Sequence, residues 1–421
     1  MKRPLAAGAA TFVLVAGACA LAWQDGSPLV PRDGGTADQR TAWPFAILLA
    51  AAFVAYVTGL ALLRRSVAPT RAVVVLAAAI QLVPLAAPLL LSTDAWTYWG
   101  YGWIGAEGGG NPYVEPPSDF PDSPAAPYLG ADWRDRTTVY GPAFTLLSEP
   151  VALASGDSSD VAAWLFKTLA AVAIVVAVVA VTRVASRPAL AAAFVGWNPV
   201  LAVHVAGGGH NDALVGGLAA LAVALAVRRR NDLAGAAWVL AAFVKWIPLV
   251  FLVLATLAAR ARGTATGGRG IAIAALAVVV LGTWRYDLDW LRVLGPLADN
   301  AVLETSYALP SRLEQLGVPD AAAFALALAA AAAGLLLLAR GALRGEPRLG
   351  RAACLLLATT PYLAVWYLAW AVPLAAADED RVARFAALAR IEASGATARS
   401  RWLGRVRSTA THSASRSTGK L

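Results

Sequence analysis

Long uncharged apolar runs constrain this chain more than any other feature. A helix needs about 20 mostly apolar residues to cross a hydrocarbon core of about 30 Å. Runs of that kind recur at 4–23, 43–63, 72–91, 161–182, 189–206, 212–227, 271–284, 320–339 and 352–374. A further run at 233–259 is interrupted by Lys245 and Pro248 and reads as two short helices making a hairpin. Residues 141–155 are apolar but short and carry Glu149, the pattern of a re-entrant or interfacial segment. The expected fold class is all-α: a polytopic transmembrane helical bundle of about 9–11 spans. Composition agrees, at 59% hydrophobic and 14% charged over 421 residues, against about 45–50% and about 25% in soluble proteins. A soluble enzyme, a disordered protein and a disulfide scaffold are excluded. Cys19 and Cys354 both lie inside apolar runs, so no disulfide framework is implied.

Lys and Arg in short loops stay cytoplasmic. With the first run an uncleaved span and the N-terminus inside, the inner segments hold seventeen basic residues, from Lys2 to Arg351, against two acidic ones. The outer loops, with Asp212, hold nineteen acidic residues and seven basic. Two large non-membrane segments, 92–140 and 285–319, face outward, and no inner loop is large enough to be a domain. From 381 onward the chain carries nine basic residues and one acidic one among Ser, Thr and Ala, and reads as a disordered tail. This topology puts the tail outside, against the positive-inside rule. The chain therefore divides into a membrane domain, 1–380, and a tail, 381–421. No phosphate-cradling or dinucleotide motif is present, so nucleotide and nucleic-acid partners are not expected.

The first outer loop opens Ser92-Thr93-Asp94-Ala95-Trp96-Thr97-Tyr98-Trp99-Gly100-Tyr101. Asp94 follows an apolar run directly and so sits at the membrane–water boundary. Ten of the loop's residues are aromatic, among them Trp96, Tyr98, Tyr101, Tyr113 and Tyr140. The plain reading is an interfacial aromatic belt. A carboxylate among flat rings also suits a sugar: rings stack on the apolar faces of pyranoses, and the carboxylate can accept a hydroxyl proton. An apolar setting is expected to raise its pKa. Asn111-Pro112-Tyr113 and Tyr140-Gly141-Pro142 mark rigid turns that close the loop back onto the membrane, and Gly108, Gly109 and Gly110 would allow lid-like mobility.

Polar residues recur inside the apolar runs. Gly207-Gly208-Gly209-His210-Asn211-Asp212 precedes the run at 212–227. Asn211 or Asp212 would cap that helix, or the three polar residues would form a site in which His210 helps hold a phosphate. Lys245 lies mid-run, where an ionisable residue marks function by default; a phosphate contact competes with snorkelling. Lys167 near its span's outer end reads as snorkelling. The acidic pairs Asp132/Asp135 and Asp287/Asp289 would admit a divalent cation, though none is expected.

With these residues together, the sequence resembles the GT-C superfamily of integral-membrane glycosyltransferases. It is most similar to the polyprenol-phosphomannose-dependent α-1,6-mannosyltransferases near glycosyltransferase family 87. The matching pieces are Asp94-Ala-Trp-Thr-Tyr-Trp-Gly-Tyr-Gly, Gly110-Asn-Pro-Tyr113, Tyr140-Gly-Pro142, Trp197-Asn-Pro199, Gly208-Gly-His-Asn-Asp212, Val244-Lys-Trp-Ile-Pro248, and Trp366-Tyr-Leu-Ala-Trp370 with Pro373. The resemblance implies a multi-pass cytoplasmic-membrane enzyme with its site facing outside and its first outer loop catalytic. It implies inverting transfer from a polyprenyl-phosphate sugar, most simply mannose, to a lipid-anchored glycan of the lipomannan type, without cofactor. Asp94 would be the general base, and His210 and Lys245 the donor-phosphate contacts. Trp96, Tyr98, Tyr101, Tyr113, Tyr140, Asn211 and Asp212 would bind substrate. Relatives continue with further spans after the region around Pro373, where this chain turns into its basic tail. The alternatives are an arabinofuranosyltransferase, a lipid-linked-sugar flippase or transporter, and a non-catalytic envelope scaffold.

Overall fold

The computed structural model describes residues 2–27, 29–31, 41–301 and 303–388. All regular structure among them is helical. Five helices are long and apolar enough to cross a membrane, and six shorter apolar helices accompany them. The long ones include α1 (Lys2–Ala20), α2 (Ala42–Arg65) and α6 (Ser159–Thr182). With α3 (Thr70–Leu82) and α7 (Pro188–Gly196) they form the N-terminal part of the bundle.

The run read as one span at 189–206 is broken. Pro199 has no N–H to continue α7, so the helix ends at Gly196. The side chain of Asn198 then accepts from the Val200 and Leu201 N–H groups, at 3.0 and 3.3 Å. The chain resumes as a wide π turn over Leu201–Ala206. Neighbours take up backbone groups around the break: Gln81 donates to the Gly196 and Asn198 carbonyls and Tyr56 to that of Phe194, while the Trp197 indole ties the break to the Val73 carbonyl of α3.

Helices α8 (Asp212–Val227) and α9 (Asn231–Val244) run antiparallel, and α10 (Pro248–Ala261) returns. The turn into α11 (Gly268–Tyr286) lies against the start of α9, with Gly267 beside Asn231. The expected hairpin at 233–259 is therefore formed, with Lys245 at its bend in extended backbone. Beyond it, short α12 (Leu294–Ala301) and α13 (Leu309–Gln315) occupy the second outer segment, and α14 (Asp320–Ala342) follows. Helix α14 leaves leucines 326, 328, 336 and 337 exposed, the signature of a lipid-facing helix rather than a core one.

The run at 352–374 is two helices where the sequence reading has one span. Helix α15 (Leu349–Thr359) ends where Thr360 turns extended before Pro361, and α16 (Leu368–Ala377) comes back. Residues 303–308 hold the bend, with Thr305 N–H donating to Pro361 O at 3.0 Å. Gly350 at the start of α15 touches Leu374 and Ala375 near the end of α16. The extra turn brings Glu379 onto Ser186, at 2.8 Å, and Arg187 reaches the Arg64 carbonyl. Glu379 thus lies on the same end of the bundle as Arg64 and Arg187. Residues 381–388 are helical, and the remainder of the expected tail, 389–421, lies outside the described residues.

Candidate active site

Helix α4 (Asp94–Ala106) and helix α5 (Pro142–Ser155) pack side by side with their first turns together: Tyr98 meets Phe144 at 4.9 Å and Gly102 lies against Ser148. Three short 3₁₀ turns connect them, and Thr138 N–H bonds to the Pro112 carbonyl. The two rigid turns expected in this loop meet: Tyr113 donates to Tyr140 O at 3.1 Å. Gly141 N–H then bonds to Val244 O at 3.2 Å, which docks the loop on the end of α9 beside Lys245.

Asp94 opens α4 and is buried. Its Oδ2 lies 3.0 Å from His210 Nδ1 and accepts from the Tyr98 hydroxyl, one helical turn on, at 3.3 Å. The imidazole N–H is not aligned on that oxygen, so Nδ1 makes no hydrogen bond despite the short distance. His210 reaches this position because Gly209 turns with φ +67°, against Ala95 on α4. Its ring stacks on Trp366 at 4.2 Å with planes 14° apart.

Asp212 occupies the first turn of α8 and is fully buried. Its Oδ2 pairs with Lys245 Nζ at 2.8 Å, and its Oδ1 accepts from the Trp370 indole at 3.1 Å. Lys245 Nζ also lies 4.8 Å from the centre of the Tyr367 ring, an attractive cation–π placement. Gly216, close against the Ala369 backbone, lets α16 bring this aromatic stretch onto α8. Neither helix-cap expectation is met: Asn211 makes no side-chain cap, and the Asp212 carboxylate is committed to Lys245 and Trp370. Both amide atoms of Asn211 are buried without a hydrogen-bond partner among the described residues. Unbonded buried amides are rare in native proteins.

In the loop outside the spans, burial alone would raise the Asp94 carboxyl. The charge of His210 beside it comes next, then the charge of Lys245. Together with a Ser92 hydrogen bond they outweigh burial and hold it below the usual carboxylate value. This reverses the expectation of a raised pKa, because the apolar surroundings come with two basic groups.

The sequence candidates thus separate. Asp94, Tyr98, Tyr140, His210, Asn211, Asp212 and Lys245 share one rim; Tyr140 meets Tyr98 edge-on at 5.1 Å. Tyr101 lies on the same face of α4 and donates to the Arg136 carbonyl at 2.9 Å. Trp96 points the other way, its indole bonded to Ser159 O. Tyr113 packs in a separate buried cluster with Tyr286 and Trp290. Lys167 does not snorkel: it is buried and donates to the Ala87 and Pro88 carbonyls. Of the acidic pairs considered for a cation, Asp289 instead pairs with Arg292 and accepts from Asn111. No cluster of three or more metal-ligating side chains forms among the described residues. Trp366, Tyr367 and Trp370 join the site without having been assigned to it from sequence; their i, i+1, i+4 spacing near a proline is the signal that pointed to them.

All regular structure among the described residues is helical and five helices are long and apolar enough to cross a membrane, which makes the fold that of a helical membrane bundle. The chain matches the family model for the alpha-(1->6)-mannopyranosyltransferase N-terminal domain over residues 5–262 and belongs to that family. It is also similar to alpha-(1->6)-mannopyranosyltransferase A of Corynebacterium glutamicum, 32% identical over 142 residues, which is 32% of this chain. The match spans only 28% of that relative's length. No solved structure matches the chain.

Proposed function

We propose that the protein transfers a mannosyl residue from a polyprenyl-phosphate donor to a lipid-linked glycan, with inversion, at the outer face of the cytoplasmic membrane. The family membership favours mannose over arabinofuranose. The observation that carries the mechanism is Asp94: buried, ionised by its basic neighbours, yet with 12% of its side chain still accessible.

In this reading the Asp94 carboxylate takes the proton of the acceptor hydroxyl. The freed oxygen attacks the anomeric carbon. The bond from that carbon to the phosphate oxygen breaks, and its electron pair leaves with the polyprenyl phosphate. Lys245, from its place on Asp212, balances the charge that builds on the leaving phosphate. His210, stacked on Trp366, steadies the base, and the proton passes from Asp94 to solvent once the product has left. Asn211 offers its unbonded amide to hydroxyls of the sugar. Single displacement fits because the second buried carboxylate, Asp212, has both oxygens engaged and is unavailable as a nucleophile. A phosphate leaves readily, so the proposal uses neither general acid nor cofactor.

The test is transfer of labelled mannose from polyprenyl-phosphate mannose to a glycan acceptor by purified protein. Asp94→Asn is expected to lower transfer about a hundred- to ten-thousand-fold while the protein inserts and folds normally. Near-normal transfer by that variant would defeat the assignment.

A further inference from the structure

Helix α4 has two working faces. Asp94, Tyr98 and Tyr101, at i, i+4 and i+7, share the face toward the candidate active site. Thr93 and Trp96, on either side of Asp94, line the opposite face and form one wall of a cavity of about 790 Å³. That size is within the range of about 300–1,000 Å³ found for small-ligand sites. The segment just after α1, the start of α6, residues 85–89 and the turn at Pro127 and Tyr128 complete the lining.

The cavity is built from rings. Trp23, Trp96, Tyr128 and Trp164 all contribute to it. Trp23 is 67% and Trp164 49% exposed, so these indoles are not packing against the protein. The indole N–H groups of Trp23 and Trp96 are fixed on the carbonyls of Ala86 and Ser159, at 3.0 and 2.9 Å. Trp96 is buried against the Tyr128 ring and forms the floor of the cavity, while the Trp23 ring, held at its edge, keeps its faces available. The polar lining includes two carboxylates, Asp25 and Asp160. The one lysine in the lining, Lys167, is committed to the Ala87 and Pro88 carbonyls.

This chemistry disfavours an anion, since two carboxylates face it and the cation is bonded elsewhere. It favours a neutral polyhydroxyl chain: pyranose C–H faces stack on the rings while hydroxyls donate to Asp25 and Asp160. We propose that this cavity binds the non-reacting sugars of a neutral manno-oligosaccharide acceptor, whose terminal hydroxyl reaches Asp94 across the first turn of α4. The proposal rests on the transferase reading for the role of the bound glycan, but binding itself is measurable without turnover.

The experiment uses the full chain in nanodiscs, with α-linked manno-oligosaccharides of one to six residues and no donor. Binding is followed by calorimetry and by tryptophan fluorescence. Affinity is expected to rise at least tenfold between the shortest and longest probes. Trp164→Ala and Trp23→Ala are expected to flatten that rise, so that long probes bind no better than short ones, and Trp164→Phe to restore most of it. Asp94→Asn is expected to keep the full length dependence. Length-independent binding, no binding at any length, or a rise unchanged in both tryptophan variants overturns the proposal. Length-dependent binding alongside undiminished transfer by Asp94→Asn would instead overturn the base assignment and leave the cavity's role standing.

Discussion

Two buried carboxylates stand at the same rim of the bundle in opposite conditions. Asp212 is fully engaged, with lysine on one oxygen and indole on the other. Asp94 receives its imidazole and phenol neighbours on a single oxygen, one of them misaligned, and keeps an opening. A saturated ion pair in a buried setting holds elements together, and removing one partner leaves a costly uncompensated group. An incompletely bonded carboxylate has capacity left for a proton. The difference teaches that the two carboxylates are not equivalent: one ties α8, α9 and α16 together, and the other keeps the open oxygen that the proposed chemistry needs.

The largest expected effect breaks this comparison directly. Asp94→Asn should abolish nearly all transfer yet leave the melting temperature within a degree or two of wild type. Asp212→Ala should do the reverse in order of severity. It strands Lys245 and the Trp370 indole, and about 3 kcal/mol of stability should be lost, read as a lower melting temperature in detergent and poor recovery. If both variants lose activity with unchanged melting, the division is wrong.

Smaller effects sharpen it. His210 provides the strongest influence lowering the Asp94 carboxyl. The rate should therefore stay level as pH falls through the ordinary carboxylate range, and drop only below it. In His210→Gln the carboxyl protonates at higher pH, so the acid limb of kcat/KM should move upward. An acid limb that does not move removes His210 from the base. Lys245→Gln should raise the donor KM about tenfold, roughly 1.4 kcal/mol, with acceptor KM little changed, and should also lower the melting temperature, because it strands the buried Asp212 carboxylate. Trp366→Leu, which removes the stacked partner of His210, should slow transfer only a few-fold, in line with about 0.5–1.5 kcal/mol for an aromatic pair.

Much of this rim was legible in the sequence because its residues sit where apolar runs begin or end. Asp94, His210, Asp212 and Lys245 each interrupt or border such a run, and a charge there has few structural uses. The closing of the first loop was readable from its paired proline turns. The C-terminal hairpin was not, because a bend at Thr360-Pro361 inside an apolar stretch leaves mean hydropathy unchanged. Missing it hid how the aromatic stretch at 366–370, quoted from sequence only as a matching motif, folds back onto α8. Lys167 was misread for a related reason: sequence shows its depth but not the Ala87 and Pro88 carbonyls waiting for it. The lowered Asp94 carboxyl needed knowledge of who its neighbours are, which spacing alone does not supply.

The wide turn over Leu201–Ala206 carries a further consequence. Bonds reaching back five residues, as from Gly207 to Ala202 and from His210 to Val205, amount to one amino acid more per turn than an ordinary helix accommodates. Deleting a single alanine there would let the turn close as an ordinary helix, and the segment after it would lose the bulge that seats the imidazole beside Asp94. In the proposed site, the spare residue of this turn thus counts alongside the side chains it positions.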